Sequence, residues 1–146
     1  MPDRHGPYRK MRFLVEIDGI AKAGFSRCRL PDARSDVIEY REGTDPPTTR
    51  KLAGLNRVGN LVLTAGVTDD SIALAEWRES VEQGQVDEAR RMAAVVVLGE
   101  EGNPGPRWEL KNCWPVRYQP GDLDARGEFV AIETLEIATE GIERVA

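Results

Sequence analysis

Alternating apolar and polar residues dominate the chain and predict antiparallel strands. From Met11 to Asp18, the side chains of Phe13, Val15 and Ile17 alternate with polar ones, which is the period of a strand with one face on a core. Asp18-Gly19 then indicates a hairpin turn and a short return segment, 20–25. Further strands are predicted over residues 26–30, 34–42, 61–65, 90–98, 107–118 and 128–139.

One segment has helical rather than strand periodicity. Leu74, Trp77 and Val81 follow one another at the spacing of a single helix face. The acidic and hydroxyl residues of 68–71 provide an N-terminal cap, and Gly84 suits a left-handed C-terminal cap. The pattern therefore predicts one helix, from Ser71 to Gln83.

These elements predict a mainly β protein, an antiparallel β-sandwich or barrel that carries one packed α-helix. No βαβ rhythm and no internal repeat is present. We interpret all three tryptophans as core residues rather than as an aromatic binding surface. The predicted core comprises Phe13, Val15, Ile17, Leu74, Trp77, Val81, Trp108, Trp114, Leu135 and Ile137.

Two segments lack a core pattern. Residues 1–10 are polar, contain two prolines and a glycine, and are expected to form a flexible N-terminal arm. Residues 43–59 form the longest stretch without periodicity, and loops of this length are uncommon in compact domains unless they have a function. We interpret 43–59 as an extended interaction arm, with a plain surface loop as the alternative.

The amino-acid composition argues against a catalytic or metal-binding site. The chain has 146 residues, 40% hydrophobic and 31% charged, which is typical of one soluble globular domain over 1–146. No apolar run is long enough for a membrane span, and no secretory signal is expected. The only histidine, His5, lies in the arm, and Cys28 and Cys113 are far apart. We therefore expect no catalytic residues, no metal and no cofactor, and predict that the protein is not an enzyme.

The net charge of −5 argues against nucleic-acid binding but conceals an asymmetry. Residues 1–58 carry 12 Lys and Arg against 8 Asp and Glu, a net charge of +4. Residues 59–146 carry 8 against 17, a net charge of −9. Two surfaces of opposite sign would attract each other between copies, although mixing of these charges in the folded protein is an equal alternative.

Several segments resemble, in order and spacing, the tail-tube proteins of contractile phages and of phage-like contractile injection systems. More distantly, the chain is similar to the type VI secretion tube protein. The similarity runs from about Tyr8 to Val145, with two departures, at Ala53 and Cys113. Its segments include RFLVEIDG (12–19), VIEYREG (37–43), RKLAGL (50–55), GVTD (66–69), NCWP (112–115) and AIETLEI (131–137).

The resemblance implies a structural subunit of an inner tube. Six copies would form a ring, rings would stack head to tail, and the arm 43–59 would reach the next ring. On that basis, the expected inter-ring contacts are Arg50, Lys51, Leu52 and Leu55. The implied partners are further copies, a contractile sheath protein, baseplate or tube-initiator and tube-terminator proteins, and cargo in the lumen.

Assembly would take place in the cytoplasm of the producer cell. The product would be a phage tail or an injection particle, which in some systems is released from the cell. Three alternatives remain open at this point. The chain could instead be a tube initiator or terminator of the same machine. It could also be a monomeric β-barrel that binds a ligand, or a hydrolase with a carboxylate pair. The sequence does not distinguish a phage tail from an injection system.

Overall fold

The computed structural model describes residues 12–18, 25–44, 46–67, 72–99, 101–127 and 131–146. Within them lie nine strands and two helices. They are β1 (Phe13–Ile17), β2 (Phe25–Arg29), β3 (Ala33–Tyr40), β4 (Arg50–Val58), β5 (Leu61–Gly66), α1 (Ile72–Glu82), α2 (Val86–Ala89), β6 (Arg91–Leu98), β7 (Pro104–Pro120), β8 (Ile132–Ala138) and β9 (Gly141–Arg144). The predicted N-terminal arm, residues 20–24 of the return segment, the cap residues 68–71 and residues 128–130 of the last predicted strand lie outside the described residues.

Seven strands form one antiparallel network that divides into two sheets joined by β7. Sheet 1 contains β1, β6, the first half of β7, and β9. Sheet 2 contains β2, β5, β8 and the second half of β7. The predicted fold class, a mainly β protein with antiparallel sheets and a packed helix, is confirmed.

β7 changes sheets at a bulge near its middle. The pairing register with β6 shifts between Leu110 and Cys113, and Asn112 takes a left-handed conformation with φ 52°. The Asn112 amide donates to a Glu140 oxygen at 2.9 Å, and Arg90 donates to the other oxygen of that carboxylate at 2.7 Å. These bonds fix the corner at which β8 also gives way to β9.

The core lies between the two sheets and under α1. It includes Val15, Ile17, Leu74, Trp77, Leu135 and Ile137, with Phe13, Val81 and Trp108 packed against it. The indole N–H of Trp77 donates to the carbonyl oxygen of Ala89 at 2.6 Å, which ties α1 to α2. Nine of the ten predicted core residues therefore lie in or against this cluster.

Trp114 is the exception. Alternation along the sequence predicts that Trp108, Leu110, Asn112 and Trp114 share one face of β7, but that face does not continue past the bulge. Asn112 is exposed and Trp114 only half-buried. Cys113 and Pro115 occupy the buried positions instead. The extra residue at Asn112 shifts the alternation by one, so each later side chain changes face.

Candidate functional site

β3 and β4 form a two-stranded ribbon separate from both sheets. The ribbon continues from the ends of β2 and β5, and the Gly59 N–H donates to the Asp32 carbonyl oxygen at 2.9 Å at its base. Within the extended arm expected over 43–59, residues 50–58 form β4, so the alternative of a plain surface loop is wrong for these residues.

A bulge explains why β4 has no clear periodicity. Between the pairs Ser35–Asn56 and Val37–Ala53, β4 contains one more residue than β3. Gly54 and Leu55 therefore lie together opposite Asp36, and alternation breaks at that point. A Cβ added to Gly54 would lie 3.2 Å from the Asp36 Cβ, so glycine suits this close approach.

The bulge collects apolar side chains on one face of the ribbon, which we call the ribbon apolar face. Ile38 lies opposite Leu52, and the extra residue brings Leu55 to the same side. These three side chains are 52%, 49% and 69% exposed, and Tyr40 beside them is 41% exposed. A lone two-stranded ribbon is marginally stable in water, and contiguous exposed apolar side chains are typical of protein interfaces.

Polar groups frame the ribbon apolar face. Arg57 donates to both carboxylate oxygens of Asp36 at 2.9 and 3.0 Å, and this hydrogen bond lowers the pKa of Asp36. At the other end, the Tyr40 hydroxyl donates to Glu42, which raises the pKa of Tyr40. Both interactions are exposed, so they orient side chains rather than contribute much stability.

The four residues expected at an inter-ring contact all lie on β4 and are all exposed. Leu52 and Leu55 belong to the ribbon apolar face, and Arg50 lies opposite Tyr40 on that face. Lys51 lies opposite Glu39 on the other face. The sequence did not predict Ile38 as a contact residue, because its place on the ribbon apolar face depends on the register of β3 against β4.

The two cysteines lack the features of nucleophiles. Burial raises the pKa of Cys28 to about 11, and burial also raises the pKa of Cys113, although hydrogen bonds oppose that effect. In the part of the chain that the structure describes, no three His, Cys, Asp or Glu side chains are grouped as metal ligands. Among the same residues, no helix has both the length and the apolar composition to cross a membrane.

An antiparallel β fold with open sheet edges and a protruding apolar ribbon is suited to assembly with other chains. The family model of the T4-like virus tail tube protein gp19 matches residues 9–143. The chain belongs to this family and is a structural tube subunit. No match was found among curated proteins.

Solved structures of contractile injection systems share the fold. A chain of the anti-feeding prophage baseplate, six-fold symmetrised, is 28% identical, with a TM-score of 0.81 and coverage of 97% of each chain. A chain of the PVC extracellular contractile injection system sheath-tube complex is 23% identical, with a TM-score of 0.86 over 98% of this chain and 94% of that one. Hcp1 from Flavobacterium johnsoniae is 16% identical, with a TM-score of 0.56 over 91% and 94%.

Proposed function

We propose that six copies of this subunit form a ring, and that rings stack head to tail into a hollow tube inside a contractile sheath. The family supports the tube role, and the similar baseplate structure has six-fold symmetry. Sheath, baseplate and terminator proteins would be partners, as in the complexes that contain similar chains. The tube would assemble in the producer's cytoplasm and become part of an injection particle.

The observation that carries the proposal is the ribbon apolar face, which has no covering element in the described residues. In a stack of rings, this face of one subunit would pack on a different surface of a subunit in the next ring. Such a heterologous contact does not close on itself and therefore extends into a filament. Fully burying one exposed leucine contributes roughly 1.5–3 kcal/mol, and every subunit would repeat this contact.

Charge favours the same contact. The described ribbon residues, 33–44 and 46–58, carry five Arg and Lys against three Asp and Glu. Residues 72–89, which contain α1 and α2, carry one Arg against five Asp and Glu. We propose that the ribbon meets this acidic helical surface of the next ring, which gives a physical role to the charge asymmetry of the sequence.

The decisive variant is Leu52→Ser combined with Leu55→Ser, and Leu123→Ser serves as the matched control. Leu123 is 86% exposed and follows the end of β7 that pairs with the start of β8, at the end of sheet 2 remote from the ribbon. Negative-stain microscopy and sedimentation should show tubes for the wild type and the control. The double variant should stop at rings or single subunits while it keeps its circular dichroism spectrum. Normal tubes from the double variant would contradict the proposed stacking contact.

Two further measurements complete the test. Tube length should fall as salt rises if ribbon charges contribute, because exposed ion pairs are screened within about 8 Å at physiological ionic strength. Salt-insensitive tubes would mean that stacking is apolar and that the charge asymmetry is incidental. Deletion of 43–59 should abolish tubes, whereas a tube initiator or terminator would lose a single partner only.

A further inference from the structure

The outer face of sheet 2, turned away from the core, carries arginines among mostly polar side chains. The cross-strand register places its residues in two rows that run across β2, β5, β8 and β7. We call this surface the arginine face. The rows are Arg29–Val62–Glu136–Arg117 and Arg27–Thr64–Thr134–Gln119.

The arginines of this face have no partner among the described residues. Arg27, Arg29 and Arg117 are exposed, and none has a hydrogen bond or an ion pair within the ranges that the structure describes. The one carboxylate in the two rows, Glu136, accepts a hydrogen bond from the Asn60 amide at 3.2 Å. Three guanidinium groups are therefore available to an anionic partner.

The outer face of sheet 1 differs in charge and polarity. The register aligns Glu16, Ala94, Glu109 and Glu143 in one row. Arg107 lies near the first and third of these, 3.5 Å from a Glu16 oxygen and 3.3 Å from a Glu109 oxygen. Leu14 and Met92 on this side are 37% and 40% exposed. This face is therefore acidic and partly apolar, and it would repel an acidic partner.

We propose that the arginine face lines the channel of the tube and contacts polypeptide cargo through the cargo's carboxylates. This proposal rests on the proposed tube function. A channel wall has to stay hydrated, and the two rows contain no large apolar side chain that is strongly exposed, since Ile132, which is 46% exposed, lies at the end of β8 beyond them. Arginine matches carboxylates in a two-point geometry. The two rows contain no aromatic side chain on which bases could stack, which favours acidic protein over single-stranded nucleic acid as the occupant.

Continuity with the ribbon supports this orientation. The strands of the ribbon are direct extensions of β2 and β5, which belong to sheet 2. A ribbon that reaches the next ring would therefore extend the wall formed by sheet 2. Sheet 2 also has four strands in antiparallel order, so an edge-to-edge join between copies would preserve the antiparallel pattern around the ring.

Size-selective labelling tests the orientation. In a Cys28→Ser background, Thr64→Cys places a thiol on the arginine face, and Glu143→Cys places a matched thiol on the outer face of sheet 1. In sheath-free tubes, Thr64→Cys should react with a small maleimide but not with a maleimide coupled to a bulky protein. Glu143→Cys should react with both, and both variants should react with both reagents before assembly.

The outcomes separate the two proposals. Tubes with the reverse labelling pattern would overturn the assignment of the arginine face to the channel and leave the tube function intact. A chain that forms no tubes under any condition would overturn the tube function itself. The labelling yield of unassembled subunits shows whether either variant has lost its fold.

Cargo chemistry is tested with fluorescent poly-glutamate that co-sediments with tubes. Arg29→Gln should lower its apparent affinity by about two- to fivefold, as for loss of an exposed ion pair. Lys111→Gln, which removes one exposed charge from the other sheet, should leave the affinity unchanged. Equal loss in both variants would contradict the proposed contact, and preference for a single-stranded oligonucleotide over poly-glutamate would assign the face to nucleic acid instead.

Discussion

A half-buried hydrogen bond between Tyr118 and Glu133 provides a quantitative test of how sheet 2 is stabilised. Glu133 lies on the core side of β8 and is 3% exposed. One of its oxygens, Oε2, accepts a hydrogen bond from the Tyr118 hydroxyl at 2.5 Å. The other oxygen, Oε1, is buried with no partner among the described residues. Tyr118→Phe would leave this carboxylate without a side-chain donor.

The expected cost follows from what the substitution leaves behind. Hydrogen bonds to charged groups contribute about 1.5–3 kcal/mol, and a buried acceptor without a donor also loses its hydration. We therefore expect Tyr118→Phe to lower the free energy of unfolding by about 2–3 kcal/mol at pH 7. For a chain of this length, that corresponds to a fall in Tm of roughly 6–10 °C.

The pH dependence has a defined sign. The hydrogen bond to Glu133, and secondarily burial, raise the pKa of Tyr118 from 10.0 to about 12. Because the folded state favours the neutral phenol, this contribution is fully present below pH 10 and is lost as the pH rises towards 12. The difference between wild type and Tyr118→Phe should therefore shrink across that interval.

The assay is urea unfolding followed by tryptophan fluorescence, with the subunit kept dilute and measured at two protein concentrations to exclude a contribution from assembly. A double-mutant cycle with Glu133→Leu separates the Tyr118–Glu133 interaction from other effects of each substitution. The double variant should lose less free energy of unfolding than the sum of the two single variants. A Tyr118→Phe protein within 0.5 kcal/mol of wild type at pH 7 would refute the reasoning.

Three further predictions concern the backbone and a thiol. Gly121→Ala should destabilise by about 1–3 kcal/mol in thermal unfolding, because the new Cβ would lie 2.3 Å from the Ile132 carbonyl oxygen, whereas Gly43→Ala, with no atom within 4 Å, should be neutral. Asn112→Val should lower the free energy of unfolding by about 1–2 kcal/mol more than Asn112→Gly, since only valine is strained in the left-handed backbone conformation of this position. Equal losses in the two variants would contradict this explanation. Iodoacetamide should alkylate Cys28 at a rate that keeps rising to about pH 11, and a plateau near pH 9 would show an unperturbed thiol.

Elements with an uninterrupted period were predictable from the sequence. β1 and α1 each bury one clean face, so alternation or helical spacing is visible directly in their residues. β4 and the second half of β7 were misjudged for a common reason. A bulge adds one residue to the strand, and the apolar positions beyond it change side without any change in composition.

The candidate site was only partly predictable for a related reason. Leu52 and Leu55 were expected at a contact through family resemblance, and their shared face became apparent only with the register of the ribbon. Ile38 and the arginine rows depend on which residues of distant strands lie side by side. Cross-strand pairing of this kind is a non-local property, and a single sequence does not specify it.

The shared strand β7 also has a mechanical consequence. Over its 17 residues it pairs with β6 and β9 at one end and with β8 at the other. A push delivered to sheet 2, for instance through the ribbon, would therefore reach sheet 1 along a covalent chain and rows of backbone hydrogen bonds. Sliding one sheet over the other would require the corner at Asn112 to open, so the sandwich should respond to axial load as a single stiff unit.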